Sequence, residues 1–328
     1  MKHSFNNRSV LVTGGAGFIG SHLVELLLRY GADVVTVVDS LSTGRLSNIE
    51  SVRSRITIEK LDLVKADLRP LLKTTSFDTV FHLAGNAHVN QSVDHPDMDM
   101  EKNILGTFRM LEAIRDISPE SRIVFTSSAT VYGEAAHAPI KEDDPKIPES
   151  PYGVSKLACE HYLRLFAKLY GLRTSIARLF SVYGPRLRKQ VVYDLMCKLH
   201  RDPNKLFLHG DGTQVRDLNH VSNVTDALLL IAQKARLEGE DYNVAMGEPV
   251  SIREIAEQVS NAMGMDPQFE FSGEVRPGEI QKWFPDASRL FSLGYRTRVS
   301  LREGLRDTAN WFLTEEAGTL GNNNGNLR

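Results

Sequence analysis

The apolar run Val10-Leu11-Val12 leads into the turn Gly14-Gly15-Ala16-Gly17-Phe18-Ile19-Gly20, and an amphipathic stretch follows at once. Strand, tight glycine turn and helix in that order constrain this chain more than any other feature. The glycines let the backbone reverse sharply and approach a pyrophosphate, whose charge then sits at the helix N-terminus. Asp39 closes the next β-rich run, 19 residues after Gly20. A carboxylate there accepts hydrogen bonds from ribose hydroxyls and repels a 2′-phosphate, which favours NAD over NADP. Arg45 is a nearby cation that would suit such a phosphate.

Short β-rich runs continue to alternate with helical ones. Strands are expected at 10–13, 34–39, 56–61, 79–83, 123–127 and 174–179, and helices at 18–30, 98–115 and 153–170. This alternation specifies an α/β fold with a parallel sheet and right-handed helical crossovers. The run Val34-Val35-Thr36-Val37-Val38 is apolar in character, as suits a sheet covered on both faces. After Leu179 the rhythm breaks, with helices expected at 192–200, 221–235, 252–263 and 301–314 and a strand at 206–209. We divide the chain into a dinucleotide-binding domain (1–180, with returns near 217–245), a smaller, mainly substrate-binding lobe (181–316) and a tail (317–328). The tail contains Gly321-Asn322-Asn323-Asn324-Gly325-Asn326 and is expected to be disordered, having nothing with which to build a core.

Composition narrows the function classes. The chain's 328 residues suffice for one large domain, or one domain and a lobe. Lys plus Arg is 39 against 41 for Asp plus Glu, a net charge of −2. That balance gives no electrostatic case for nucleic acid or an anionic membrane, so an anionic ligand must be held by local arginines or amides. The two cysteines, Cys159 and Cys197, suggest neither a metal site nor a disulfide framework. No signal-peptide pattern stands at the N-terminus, and no stretch approaches the ~18 apolar residues of a membrane span; a cytoplasmic location is expected.

The candidate chemistry lies at strand ends. Ser128 follows the fifth strand, on the edge where open α/β sheets bind ligands. Tyr152 and Lys156 are four apart and share one helix face. A free tyrosine, with a pKa of ~10, is a poor base at neutral pH. The Lys156 ammonium and a nicotinamide cation would favour the phenolate, while Ser128 bonds the reacting oxygen. Such a trio suits redox chemistry on an alcohol or ketone. Asp62, after the third strand, is placed to meet the adenine amino group or to act as an ordinary turn aspartate. The small residues of Leu83-Ala84-Gly85 let a cofactor lie against the sheet edge, and His82 reads as a packed core histidine. Arg178, Arg186, Arg216 and Arg276 each stand near a loop. Converging on a cleft they would hold a diphosphate; taken singly, each reads equally as a salt bridge.

These motifs, from Ser9 to about Trp311, resemble the extended short-chain dehydrogenase/reductases of the nucleotide-sugar epimerase/dehydratase group. The resemblance is carried by residues 13–20, Asp39, Asp62-Leu63, His82-Leu83-Ala84-Gly85, Asn103 with Gly106-Thr107, residues 127–133, Tyr152 with Lys156, Arg216-Asp217, and Arg276-Pro277-Gly278-Glu279. It implies a Rossmann doubly wound parallel sheet of seven strands with a smaller C-terminal substrate-binding lobe. It implies NAD held by Gly14, Gly17, Phe18, Ile19, Gly20, Asp39, Asp62, Leu63, Leu83, Ala84, Gly85, Asn103, Tyr152 and Lys156. Ser128, Tyr152 and Lys156 would be catalytic. Ser128, Ser181, Arg216, Arg276, Glu279 and Trp283 would meet a nucleotide-diphosphate sugar, and no metal is called for. A homodimer is also implied, built on the 98–115 and 153–170 helices.

Dehydratases of this group carry Asp-Glu, and decarboxylases a Glu, just before Val-Tyr-Gly; here those positions are Ala129 and Thr130. The form resembles 4-epimerases, which implies C4 inversion, with a UDP-sugar favoured, through a transient 4-keto sugar. A dehydratase, decarboxylase or 4-ketoreductase is the alternative. The chain departs from the group at Ser181, usually asparagine, and at Gln91, an arginine in some members. Trp283 stands where 4-epimerases gauge the C2 substituent, and its bulk argues against an N-acetyl group.

Overall fold

The computed structural model describes residues 4–134, 137–273 and 282–320. Thirteen strands run in chain order among them. They are β1 (Ser9–Thr13), β2 (Val34–Asp39), β3 (Thr57–Lys60), β4 (Thr79–His82), β5 (Arg122–Ser128), β6 (Arg173–Leu179), β7 (Ser181–Tyr183), β8 (Lys205–Leu208), β9 (Val215–His220), β10 (Glu238–Val244), β11 (Pro249–Ser251), β12 (Gln268–Phe271) and β13 (Lys282–Trp283). Seven form one parallel sheet in the order β10-β6-β5-β4-β1-β2-β3. The order reverses at β1, between β4 and β2, which opens a crevice at the carboxyl ends of the strands where α/β sheets take ligands.

Both faces of this sheet are covered, which explains its apolar strands. One core gathers Val10, Val12, Val35 and Val37 against Leu23, Leu27, Leu228 and Ile231, from the Phe18–Arg29 and Val221–Lys234 helices. The other gathers Leu11, Val80, Ile123 and Phe125 against Met110, Leu111, Leu163 and Phe166, from Gly106–Ile117 and Pro151–Tyr170. A third core joins the helices Gln190–Arg201, Ile252–Ala262 and Leu301–Trp311 over β8 and β9. In that region β7, β9, β11 and β13 share one small sheet, and β8 pairs with β12.

Local sequence explains the helix ends that matter for the site. Pro151 begins the Pro151–Tyr170 helix, the Ser150 hydroxyl caps it by accepting from Gly153 N at 3.1 Å, and Gly171 ends it in the left-handed region. Capping boxes start two further helices, Ser251 with Glu254 and Ser300 with Glu303.

Two sequence expectations are corrected. The helix expected over 98–115 is a helical turn, Pro96–Asp99, a π segment, Met100–Leu105, and an α-helix, Gly106–Ile117. The π segment carries Asn103, buried and bonded to three neighbours at once, and such bulges accompany functional positions. At the C-terminus, Ala317–Leu320 is helical, continuing from the preceding helix into the segment expected to be a tail; residues 321–328 lie outside the described residues.

Candidate active site

The glycine turn stands at the crevice beside β1 and β4. Gly14 has φ +72°, and a Cβ there would come 2.8 Å from Ala84 N. A Cβ on Gly20 would lie 2.2 Å from Gly14 O, so the first and last glycines are required for the turn to close on itself. Gly17 is different: a Cβ there would meet only Gly14 O, at 3.1 Å, so its outer side is open to a ligand. It caps the Phe18–Arg29 helix without a side-chain bond, and no acidic residue occupies the first turn. A helix end with that composition favours an anion.

Asp39 serves this turn directly. Its Oδ2 accepts from Ala16 N at 2.9 Å and its Oδ1 from Leu41 N at 2.8 Å. It therefore orders the glycine turn. Asp62 accepts from Val64 N at 3.0 Å, the turn bond anticipated as its ordinary role. Leu83 N and Ala84 N donate to the Thr13 carbonyl and hydroxyl oxygens, which ties this edge to β1.

Three elements bring the proposed chemistry together. β5 ends at Ser128, whose Oγ accepts from Thr130 N at 3.2 Å and from the Thr130 hydroxyl at 3.0 Å. Across from it, Tyr152 is buried with its hydroxyl near the Ser128 side chain. Lys156 Nζ lies 5.9 Å from the centre of the Tyr152 ring and 4.7 Å from that of Phe125, and donates to Thr126 O at 3.0 Å. Burial pushes the Tyr152 hydroxyl up to about 12, against the opposing influence of the Ser128 hydroxyl, and burial holds Lys156 below its ordinary range. The lowering of Tyr152 expected from Lys156 is thus absent in the protein by itself. The ammonium is turned to a carbonyl, and desolvation of the phenolate dominates.

Asn103, expected from the sequence to hold the cofactor, joins Asn86, Asp99 and Ser155, which sequence reasoning passed over, in a polar network beside this trio. Asn103 accepts from Asn86 N at 2.7 Å and donates to Asp99 at 2.9 Å and Ser155 at 2.8 Å. Asn103 is thereby committed to the protein on both sides, between the Gly85-Asn86 turn and the Tyr152 helix. Asp99 also accepts from Asn86 Nδ2 at 3.0 Å. Burial raises its pKa, and it presents as a buried carboxylate whose pattern in sequence is only that of a surface helix.

The substrate-side residues fall on the small sheet. In register, Ser181 pairs with Leu218, and Arg216 with Trp283, so β7, β9 and β13 bring all three into one sheet. The Trp283 ring packs on Phe180 with centroids 6.0 Å apart, against the cluster of Ala129, Val131 and Tyr132 that follows Ser128. Asp217 accepts from Met246 N, Gly247 N and Glu248 N at 2.8, 2.7 and 3.1 Å. Burial lifts its pKa to about 6 even so, and the three bonds pin the loop after β10 beside Arg216. Arg276 and Glu279 lie outside the described residues.

Arg178 and Arg186 do not converge on the cleft. Arg178 is fully buried, paired with Glu160 at 2.7 Å and with Asp241, and donates to Tyr132 Oη at 2.8 Å. Arg186 pairs with Glu25 at 2.6 Å. His82 is packed between two threonines, Thr13 at 2.7 Å and Thr107 at 2.9 Å.

The family model described as GDP-mannose 4,6 dehydratase matches residues 11–308. This chain belongs to that family. It is the nucleotide-sugar epimerase/dehydratase group of the extended short-chain dehydrogenase/reductases. A UDP-glucose 4-epimerase of Mycolicibacterium smegmatis is 37% identical over 92% of this chain and 97% of its own. Among solved structures, a UDP-glucose 4-epimerase of Thermotoga maritima with UDP-glucose superposes with a TM-score of 0.85 at 32% identity, covering 95% of this chain and 99% of the other. A UDP-glucose 4-epimerase of Thermus thermophilus, in complex with NAD, gives 0.82 at 33% identity over 94% and 99%. Among the described residues of this family member, no helix is long and apolar enough to cross a membrane, and no cluster of His, Cys, Asp and Glu has the make-up of a metal site.

Proposed function

We propose that this chain is an NAD-dependent nucleotide-diphosphate-sugar 4-epimerase acting on a UDP-sugar. The observation that carries the reading is Tyr152 buried near the Ser128 hydroxyl and beside Lys156 at the carboxyl edge of the sheet, with no acid at positions 129 and 130. The glycine turn fits a dinucleotide, because Gly17 leaves its outer side open and the helix end behind it is uncapped by acid. Gly14, Gly17, Phe18, Ile19 and Gly20 would hold the pyrophosphate, Asp39 the ribose, Asp62 and Leu63 the adenine. Leu83, Ala84, Gly85, Tyr152 and Lys156 would border the nicotinamide half, and Asn103 would hold that border in place.

When bound, NAD supplies a reversible hydride acceptor and a positive charge next to Tyr152. Tyr152 takes the proton of the 4-hydroxyl, and the Ser128 hydroxyl donates to the reacting oxygen. Ser181, Arg216, Arg276 and Glu279 grip the sugar nucleotide while the 4-keto sugar turns over, and Trp283 limits the C2 substituent. Tyr152 then returns the proton to the C4 oxygen, and C4 would be inverted because the turned keto sugar offers its other face for hydride return from the cofactor. Ala129 and Thr130 carry no carboxylate, so the dehydratase alternative lacks a base at its usual place.

A homodimer fits the exposed apolar residues Met100 and Leu105 on one helix and Val154, Leu165 and Leu169 on the next. A cytoplasmic site of action suits this chemistry. The test is a turnover screen of purified protein with UDP-, dTDP-, GDP- and CDP-sugars, products resolved by NMR. A C4-inverted sugar formed without added cofactor is expected. A dehydrated, decarboxylated or reduced product, or no epimer pair at all, would overturn the reading.

A further inference from the structure

The opposite edge of the sheet, at the amino ends of the strands, holds a cavity of about 710 Å³ lined in part by Arg8, Asp78, Arg122 and Arg173. Arg122 opens β5 and Arg173 opens β6, and the two are register partners on adjacent strands. We propose that this cavity is a second ligand site, taking a small phosphate ester whose phosphoryl group sits against Arg122 and Arg173.

Three arginines, Arg8, Arg122 and Arg173, line the cavity against two carboxylates, Asp78 and the exposed Glu120, so the balance favours an anion. Asp78 is committed: it pairs with Arg8 at 2.6 Å and accepts from Ser9 N at 2.9 Å. Arg122 finds a carbonyl, Ala232 O at 3.0 Å, and no carboxylate among the described residues. Arg173 is half-buried, and its side chain has neither a hydrogen bond nor an ion pair among the described residues. Burial, then the like charges of Arg173 and Arg8, disfavour the Arg122 cation, with Asp78 opposing least. A guanidinium does not give up its proton to relieve such crowding, so relief comes from a bound anion. Two arginines side by side offer forked donors that match phosphoryl oxygens.

The size of the cavity selects among anions. It lies within the ~300–1,000 Å³ span of small-molecule sites and far exceeds what a lone phosphate fills. The Ser76 and Ser118 residues on its wall suit the hydroxyls of an ester's organic part. β5 runs from Arg122 at this cavity to Ser128 at the other edge, roughly 20 Å at a strand's rise per residue, so the two sites do not overlap. The proposal is independent of the catalytic reading.

The experiment is calorimetric titration of inorganic phosphate and, separately, glucose 6-phosphate into wild type and into the double variant Arg122→Gln/Arg173→Gln. Wild type is expected to bind one equivalent more than the variant, whatever the catalytic edge binds in both. A tenfold preference for the sugar phosphate supports the ester, and stronger binding of inorganic phosphate overturns that assignment. Equal stoichiometry in the two proteins overturns the site itself. Arg173→Gln alone carries the same test if the double variant fails to fold, since it breaks no bond of the protein; a tenfold or greater loss of affinity is expected, and partial rescue by Arg173→Lys.

Discussion

At the scale of single residues, burial sets the chemistry. Tyr152 is held near 12 and Lys156 below its usual range by the same desolvation, so the pair is primed for a cofactor's charge and is not a base by itself. Tyr152→Phe is expected to lower kcat by about 10²- to 10⁴-fold, as for loss of a general acid–base, with bound cofactor retained in the purified protein. Steady-state rates and the ultraviolet spectrum check both halves. His82 makes a stability prediction. Burial, then Lys156, lowers its pKa to about 3, against about 6.5 unfolded. Between those values the unfolded chain binds a proton that the fold refuses. Stability is therefore full above about pH 6.5 and falls as pH drops, by up to about 1.4 kcal/mol per unit from this group. Urea unfolding at pH 7, 6 and 5 should show a flatter profile for His82→Gln; an unchanged slope would count against the assignment.

Among the elements, the strand–turn–helix at residues 9–29 was legible because its glycines have a steric reason that sequence displays. Gly20→Ala drives a Cβ into Gly14 O, and a loss of about 1–3 kcal/mol with weakened dinucleotide binding is expected. Thermal unfolding with and without NAD reads both. Ser251→Ala, by contrast, removes a helix cap outside the glycine turn and should cost about 1 kcal/mol in thermal unfolding without changing dinucleotide binding. β10 was the least legible element. Its sequence, Glu-Gly-Glu-Asp-Tyr-Asn-Val, is polar, yet Asp241 and Asn243 are buried as partners of Arg178 and Tyr132. A strand whose polar residues point to a buried arginine gives no alternation to read. β9 hides in the same way, with Asp217, Asn219 and His220 all buried.

For the whole molecule, the seven-stranded sheet and the small sheet of β7, β9, β11 and β13 meet through residues distant in sequence. Trp283 rests on Phe180 and the segment after Ser128, and Lys189 donates to Ala87 O at 2.6 Å. Association is the matching question on the outside. Val154, Leu165 and Leu169 line one side of a helix otherwise well buried, and Leu165 is 45% exposed. A mass of two chains is expected from light scattering, and one chain for Leu165→Glu with its unfolding otherwise cooperative. A monomeric wild type would refute the dimer.

Sequence by itself determined the parallel α/β core, the dinucleotide turn and the Ser128–Tyr152–Lys156 set, because each depends on local spacing: strand period, helical turn and glycine sterics. Tertiary structure decided the rest. Arg178 was one of four loop arginines in sequence and became a buried ion partner, since only the pairing of β6 with β10 brings Asp241 to it. Asn103 became a brace of the Tyr152 helix through Ser155, 52 residues away, while Asp99 holds Asn103 from four residues off. Arg122 and Arg173, unremarkable 51 positions apart, became neighbours only when their strands aligned in register. Burial and long-range pairing are properties of the assembled chain, and they fix the charge state that local patterns cannot report.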